Sequence, residues 1–119
     1  MATAELAVAI PTLVLVLFVA LSAVATVTDQ VRCVDAARAT ARALARGDDQ
    51  ASALAVGKPL APPGAAFAVS AAGSGSGVEV TVVVRGRPAP GLGWLGSRAT
   101  PTGRAVAAME TVGSGDPAR

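Results

Sequence analysis

The chain has 119 residues, a net charge of +2 and 52% hydrophobic residues with only 3% aromatics, and it contains one Cys, no His and no Asn. One Cys rules out an internal disulfide, the lack of His leaves a zinc site almost no ligands, and the lack of Asn removes any N-glycosylation acceptor. The nine Arg and one Lys are not clustered with aromatics, so nucleic-acid binding is not expected, and scattered acids without His offer no acid–base or nucleophilic constellation.

These limits point to a non-enzyme: one domain plus a tail, with no metal and no cofactor. The apolar bulk is Ala and Val, which bury little area per residue. A globular part this small usually needs a partner, a metal or a disulfide for stability, and here a partner is expected.

Residues 6–28 carry no charged side chain. As a helix rising ~1.5 Å per residue this stretch reaches ~34 Å, enough for a hydrocarbon core of about 30 Å. No Lys or Arg precedes Arg32, and the apolar run is longer than the centre of a secretory signal, so the segment is expected to be retained. Thr3 is expected to cap the first turn, with Glu5 near the positive end of the helix dipole. Pro11 removes one backbone donor and is expected to kink the helix.

Residues 29–46 (DQVRCVDAARATARALAR) extend the helix without Gly or Pro until Gly47, the expected C-terminal cap. At about 100° per residue, Arg32, Asp35, Arg38, Arg42 and Arg46 share one face, while Cys33, Val34, Ala37, Ala41 and Leu44 lie opposite and should carry the small domain. The Arg row reads as a solvated face, or else as a contact with acidic lipid or a neighbouring subunit. Cys33 reads as a small packing residue. Residues 1–28 are thus an anchor, and 29–47 an amphipathic stalk in the same helix.

Residues 48–112 should form a small α+β domain. Asp48 or Asp49 can cap a short helix over 50–56, with Ala51, Leu54 and Ala55 as its apolar side. Gly57-Lys58-Pro59 ends it, and Pro62-Pro63-Gly64 marks a switch from helical to alternating pattern. Residues 66–71 and 78–85 alternate, with Phe67 and Val69 on one face and Val78, Val80, Val82 and Val84 likewise. Joined by the glycine-rich 73–77, they predict a β-hairpin. That glycine loop lacks the following helix a phosphate cradle needs. Residues 86–101 form a turn-rich loop holding Trp94, whose indole either packs on the sheet or meets lipid headgroups or another subunit. Residues 102–111 are expected to be a third strand rather than a short helix, because a lone hairpin is marginal. Residues 113–119 read as a flexible tail.

Taken together, Thr3-Ala4-Glu5-Leu6-Ala7-Val8-Ala9-Ile10-Pro11, the apolar run, and the stretches Arg32-Cys33-Val34-Asp35-Ala36-Ala37-Arg38 and Ala41-Arg42-Ala43-Leu44-Ala45-Arg46-Gly47 resemble a TadE-like minor pilin of the tight-adherence class of type IV pili. The likeness is greatest up to Gly47, where it is similar to the actinobacterial branch, and the later helix, Pro-Pro-Gly break and Val-rich strands also fit. The resemblance implies a subunit held in the cytoplasmic membrane by one span, its C-terminal domain outside, and later carried to the cell surface in a pilus. The implied partners are other pilin subunits, a prepilin peptidase, the inner-membrane assembly machinery and membrane lipid.

Cleavage at or before Met1 would make Glu5 the fifth mature residue, whose acid in pilins pairs with a neighbour's N-terminal amine or guides docking. A carboxylate at the edge of hydrocarbon is costly unless paired. A purely structural role for Glu5, in the headgroup zone beside the helix dipole, is the other reading. By the positive-inside rule Arg32, Arg38, Arg42 and Arg46 would face the cytoplasm, whereas the family requires the opposite orientation. A basic leader ending in Gly ahead of Met1 reconciles the two and is expected. The alternative function is a small single-span membrane accessory protein with an extracytoplasmic binding domain.

Overall fold

A computed structural model describes residues 1–74 and 77–109. The middle of the expected glycine turn (Gly75, Ser76), the strand end at 110–111 and the tail 113–119 lie outside them. The architecture is α+β: a long N-terminal helix, a short second helix and a three-stranded antiparallel sheet.

The first helix, α1, runs Ala2–Ala45 as one piece, through Pro11. It starts before Thr3 can cap it. Met1 is the N-cap and supplies no side-chain bond, which places Thr3 inside the first turn. The hydroxyls of Thr12, Thr26, Thr28 and Thr40 instead donate to the carbonyls four residues back, at 2.8, 2.9, 3.1 and 2.9 Å, so each is satisfied without a solvent partner. At the far end Gly47 takes a φ of +91°, its N–H donates to the Leu44 carbonyl at 3.0 Å and that of Asp48 to Ala43 at 3.2 Å. This pair of bonds is a Schellman stop, with Gly47 at the left-handed position as expected.

The two halves of α1 differ in cover. Leu6, Leu13, Phe18 and the other large apolar side chains up to Val27 are 49–70% exposed, so this half is not the core helix of the domain, and it is long and apolar enough to cross a membrane. The second half is gripped. Cys33, Ala37, Ala41 and Leu44 are buried as expected and Val34 is half-buried. Ala36, Ala39, Thr40 and Ala43 are buried too, which widens the covered face beyond the expected stripe. The reason is that two layers, sheet and second helix, both pack on α1.

That second helix, α2, spans Gln50–Gly57 and is capped by Asp49, whose carboxylate accepts from the N–H groups of Ala51 and Ser52 at 3.1 and 3.2 Å. The expected apolar side is corrected: Ala53 and Gly57 are buried, Leu54 is half-buried, and Ala51 and Ala55 are exposed. Gly57 decides this. A Cβ there would run into the Thr40 hydroxyl and lie 3.0 Å from the Ala36 carbonyl, so the lack of a side chain is what lets α2 approach α1. A single 3-10 turn, Lys58–Leu60, follows.

Strands β1 (Ala66–Ser74), β2 (Gly77–Arg85) and β3 (Thr102–Met109) form a meander in the order β1-β2-β3. Both pairings keep one face apolar: Phe67 opposes Val84, Val69 opposes Val82, and on the other side Ala105 opposes Val82 and Ala107 opposes Val80. Val80, Val82 and Val84 are buried in one cluster with Cys33, Ala37 and Leu44. Each fully buried Val contributes roughly 1.5 kcal/mol or more. On the opposite face Glu79, Arg85 and Arg104 are exposed, and Thr81 and Val83 are half-buried. Gly103 brings β3 onto α1, because a Cβ there would overlap the Cys33 carbonyl and the Val34 nitrogen.

Loop 86–101 joins β2 to β3. Its neck is closed by the Gly86 N–H donating to the Pro101 carbonyl at 2.9 Å. Its second half is a pair of 3-10 turns, Gly93–Ala99, broken at Gly96 where φ is +57°.

Candidate functional site

The residues singled out by sequence fall in three separate places. Met1, Glu5 and Pro11 lie on the uncovered end of α1, all exposed. Glu5 shares one side of the helix with Val8, Ala9, Thr12, Leu13 and Val16, which line a shallow, mostly apolar concavity away from Pro11. Small Ala9 sits between larger side chains there, and α1 continues unbroken through Pro11.

Arg38 and Arg42 come together on the stalk. With Asp35 they line a groove between α1 and β3 whose floor includes Leu60, Ala105 and Val106. Arg46 is not part of it. Its guanidinium turns to Asp48 at 3.3 Å, an exposed pair of little energetic weight. Arg38, Arg42 and Arg46 are all exposed.

Trp94 is on neither. It is 80% exposed and does not pack on the sheet, which corrects one of the two expectations for it. The cause is the path of loop 86–101, which turns away from the sheet and runs back along α1 toward its N-terminus. Three contacts mark the path. The Gln30 amide clamps the Thr102 backbone from both sides, donating to its carbonyl at 2.7 Å and accepting from its N–H at 2.8 Å. The Ser22 hydroxyl donates to the Pro90 carbonyl at 3.1 Å and is buried beneath it. Gly91, at φ +82°, lies on the Phe18 ring so closely that a Cβ would stand 2.6 Å from it.

The sequence reading missed Phe18, Ser22 and Gln30. A signal was present: Ser22, Thr26, Gln30 and Cys33 continue the domain-facing stripe of the stalk, at spacings of three and four, into the apolar run. Under the neck of the loop, Cys33 is fully buried and its thiol donates weakly to the Pro101 carbonyl at 3.8 Å. Burial pushes the thiol pKa up, and Asp29 adds to this against a hydrogen bond from Gly86. This is the environment of a packing residue, not of an activated nucleophile. Among the described residues, no three His, Cys, Asp or Glu side chains converge as metal ligands, and no buried side-chain nitrogen or oxygen lacks a partner.

No family model and no solved structure matches the chain significantly. Among curated proteins it is similar to a Mycobacterium tuberculosis protein named apoptosis inhibitor Rv3655c, with 48% identity over 77 residues. The match covers 65% of this chain and 61% of the relative, so the chain spans less than two thirds of the length of the curated protein it matches.

Proposed function

We propose that this chain is a structural, non-enzymatic subunit: a pilin-like minor component of a tight-adherence type IV pilus or a related secretion machine, stored in the cytoplasmic membrane and assembled through its N-terminal helix. The observation that carries the reading is the division of α1. One unbroken helix has a first half that is almost wholly apolar and exposed apart from the loop contact at Phe18 and Ser22, and a second half clasped by a small α+β domain. A helix that is apolar all round belongs in lipid or among other helices. A subunit that passes from membrane to fibre core needs both environments for the same surface.

Glu5 gives the transfer a direction. A carboxylate inside a helix bundle or at the edge of hydrocarbon is costly when alone and is stabilised by a cationic partner. Its place beside the concavity formed with Val8, Ala9, Leu13 and Val16 leaves room for the N-terminal amine of a neighbouring subunit. The relative's name describes an effect on apoptosis, and none of the residues discussed above is tied to it.

The test is N-terminal mass spectrometry of the native protein combined with shearing of surface filaments. The expected outcome is a processed N-terminus at Met1 and co-purification with the filaments, with Glu5→Gln remaining in the membrane fraction. An intact, unprocessed N-terminus on a protein found only as a free membrane monomer or dimer would instead establish the single-span accessory protein.

A further inference from the structure

Loop 86–101 is irregular backbone laid on an apolar helix, and its depth is informative. Its tip touches Phe18 and Ser22. Phe18 stands ten residues before Thr28, so about 15 Å along the helix axis separates them. If hydrocarbon began at Thr28, the tip would sit near the middle of a core about 30 Å thick. Irregular backbone exposed to lipid at that depth leaves N–H and C=O groups without partners, which bilayers do not tolerate.

We propose that the tip of this loop, residues 89–96, rests in the headgroup layer of an anionic bilayer with Trp94 as its anchor, and that hydrocarbon begins between Phe18 and Leu21 rather than at Thr28. This placement rests on the membrane-stored state proposed above and adds to it a lipid-binding surface and a defined depth. Trp94 is 80% exposed, stands three residues after Gly91, and is flanked by half-buried Leu92 and Leu95. An indole with an apolar body and one N–H donor is matched to that layer. The tip itself carries no charge; exposed Arg98, two residues beyond it, is the cation placed to meet acidic headgroups, while Arg87 lies at the loop's neck beside Gly64.

The helix length agrees. From Ala2 to Leu21 there are about 20 residues, or ~30 Å, which still crosses the core. Ser22, Thr26 and Thr28 then fall in the interfacial layer, each hydroxyl already bonded to a carbonyl. The same shift moves Glu5 about 5 Å inside the opposite edge of the hydrocarbon, where a carboxylate has stronger need of a partner.

Trp94 is the only Trp, so its fluorescence reports this loop alone. The full chain is reconstituted into vesicles of phosphatidylcholine and phosphatidylglycerol, floated on a density gradient, and measured with lipids brominated either near the carbonyl or near the chain end. The expected result is co-flotation, a blue-shifted emission, and stronger quenching by bromines near the carbonyl. A protein that floats while Trp94 stays open to acrylamide and is quenched by neither lipid overturns the loop placement and leaves the membrane span intact. Shielding from both acrylamide and bromolipid overturns it in favour of a protein partner or a second copy on the loop. Stronger quenching from the chain end overturns it in favour of a deep loop. Failure to float overturns the membrane-stored state itself.

Discussion

Replacing Gly103 by Ala tests the closest approach in the domain. Gly103 is buried in β3, and an added Cβ would overlap the backbone of Cys33 and Val34 in α1. Backbone cannot rotate out of the way as a side chain can, so helix and strand must separate by roughly an ångström to restore contact distances near 3.5 Å. Overpacking of this kind costs about 1–3 kcal/mol, and the rigidity of both partners puts this site toward the upper end. The φ of Gly103 is outside the left-handed region, so Ala fits the backbone and recovers about 0.4–1 kcal/mol through the unfolded chain. A net loss of about 2 kcal/mol is expected, a large share of the stability of a domain this size. The control is Gly73→Ala in the same sheet, where the nearest atom to a new Cβ is a Val78 methyl at an ordinary 3.9 Å, and which should be neutral or slightly stabilising. Thermal unfolding of the detergent-solubilised full chain, with amide exchange read over 78–109, measures both. Equal protection in the Gly103→Ala and wild-type proteins would refute the close packing of β3 on α1.

Two further outcomes follow from the titrating groups. The Asp49 carboxyl is held below its usual range, first by the Ser52 hydroxyl, then by the Ser52 amide and, more weakly, the Ala51 amide. A depressed folded-state pKa gives stability that is present above the unfolded value of about 4 and is lost as pH falls through the folded one. Protection of α2 amides should therefore drop in acid, and Asp49→Asn, which caps equally well, should abolish that step; an unchanged acid step in the Asn variant would rule out the cap as its cause. Cys33, buried under the loop neck with a raised thiol pKa, should react with iodoacetamide far more slowly in the native protein than in denaturant at neutral pH, and equal rates would mean that the Gly86–Pro101 neck does not close over it.

Much of the fold was legible in local pattern. The length of α1, its stop at Gly47, the switch at Pro62-Pro63-Gly64, and the facing of Val80, Val82 and Val84 all follow from periodicity and turn chemistry within a few residues. Thr3 as a cap failed because the helix begins at Ala2, two positions before a Thr3 cap would start it. Leu54 is partly covered, but Ala51 and Ala55 failed as the packing face because hydropathy ranks glycine low, whereas at Gly57 the absent side chain is itself the contact surface.

The candidate site was legible only in part. Glu5, Pro11 and the Arg38–Arg42 pair lie on exposed faces that helical spacing already defines. The fate of Trp94 was left open, because a turn-rich loop has no period from which to read its direction.

An uncharged run of membrane length with an acid before it, an amphipathic continuation and an alternating hairpin are properties of neighbouring residues, and the sequence by itself determined them. Only the tertiary structure decided where the loop lies. The bonds that settle it join Ser22 to Pro90 and Gln30 to Thr102, residues 68 and 72 positions apart, and no local propensity encodes a contact at that separation. It forms because a glycine at 91 can lie on Phe18 and a glycine at 103 can lie on Cys33, so the loop follows the helix that its neck is fastened to.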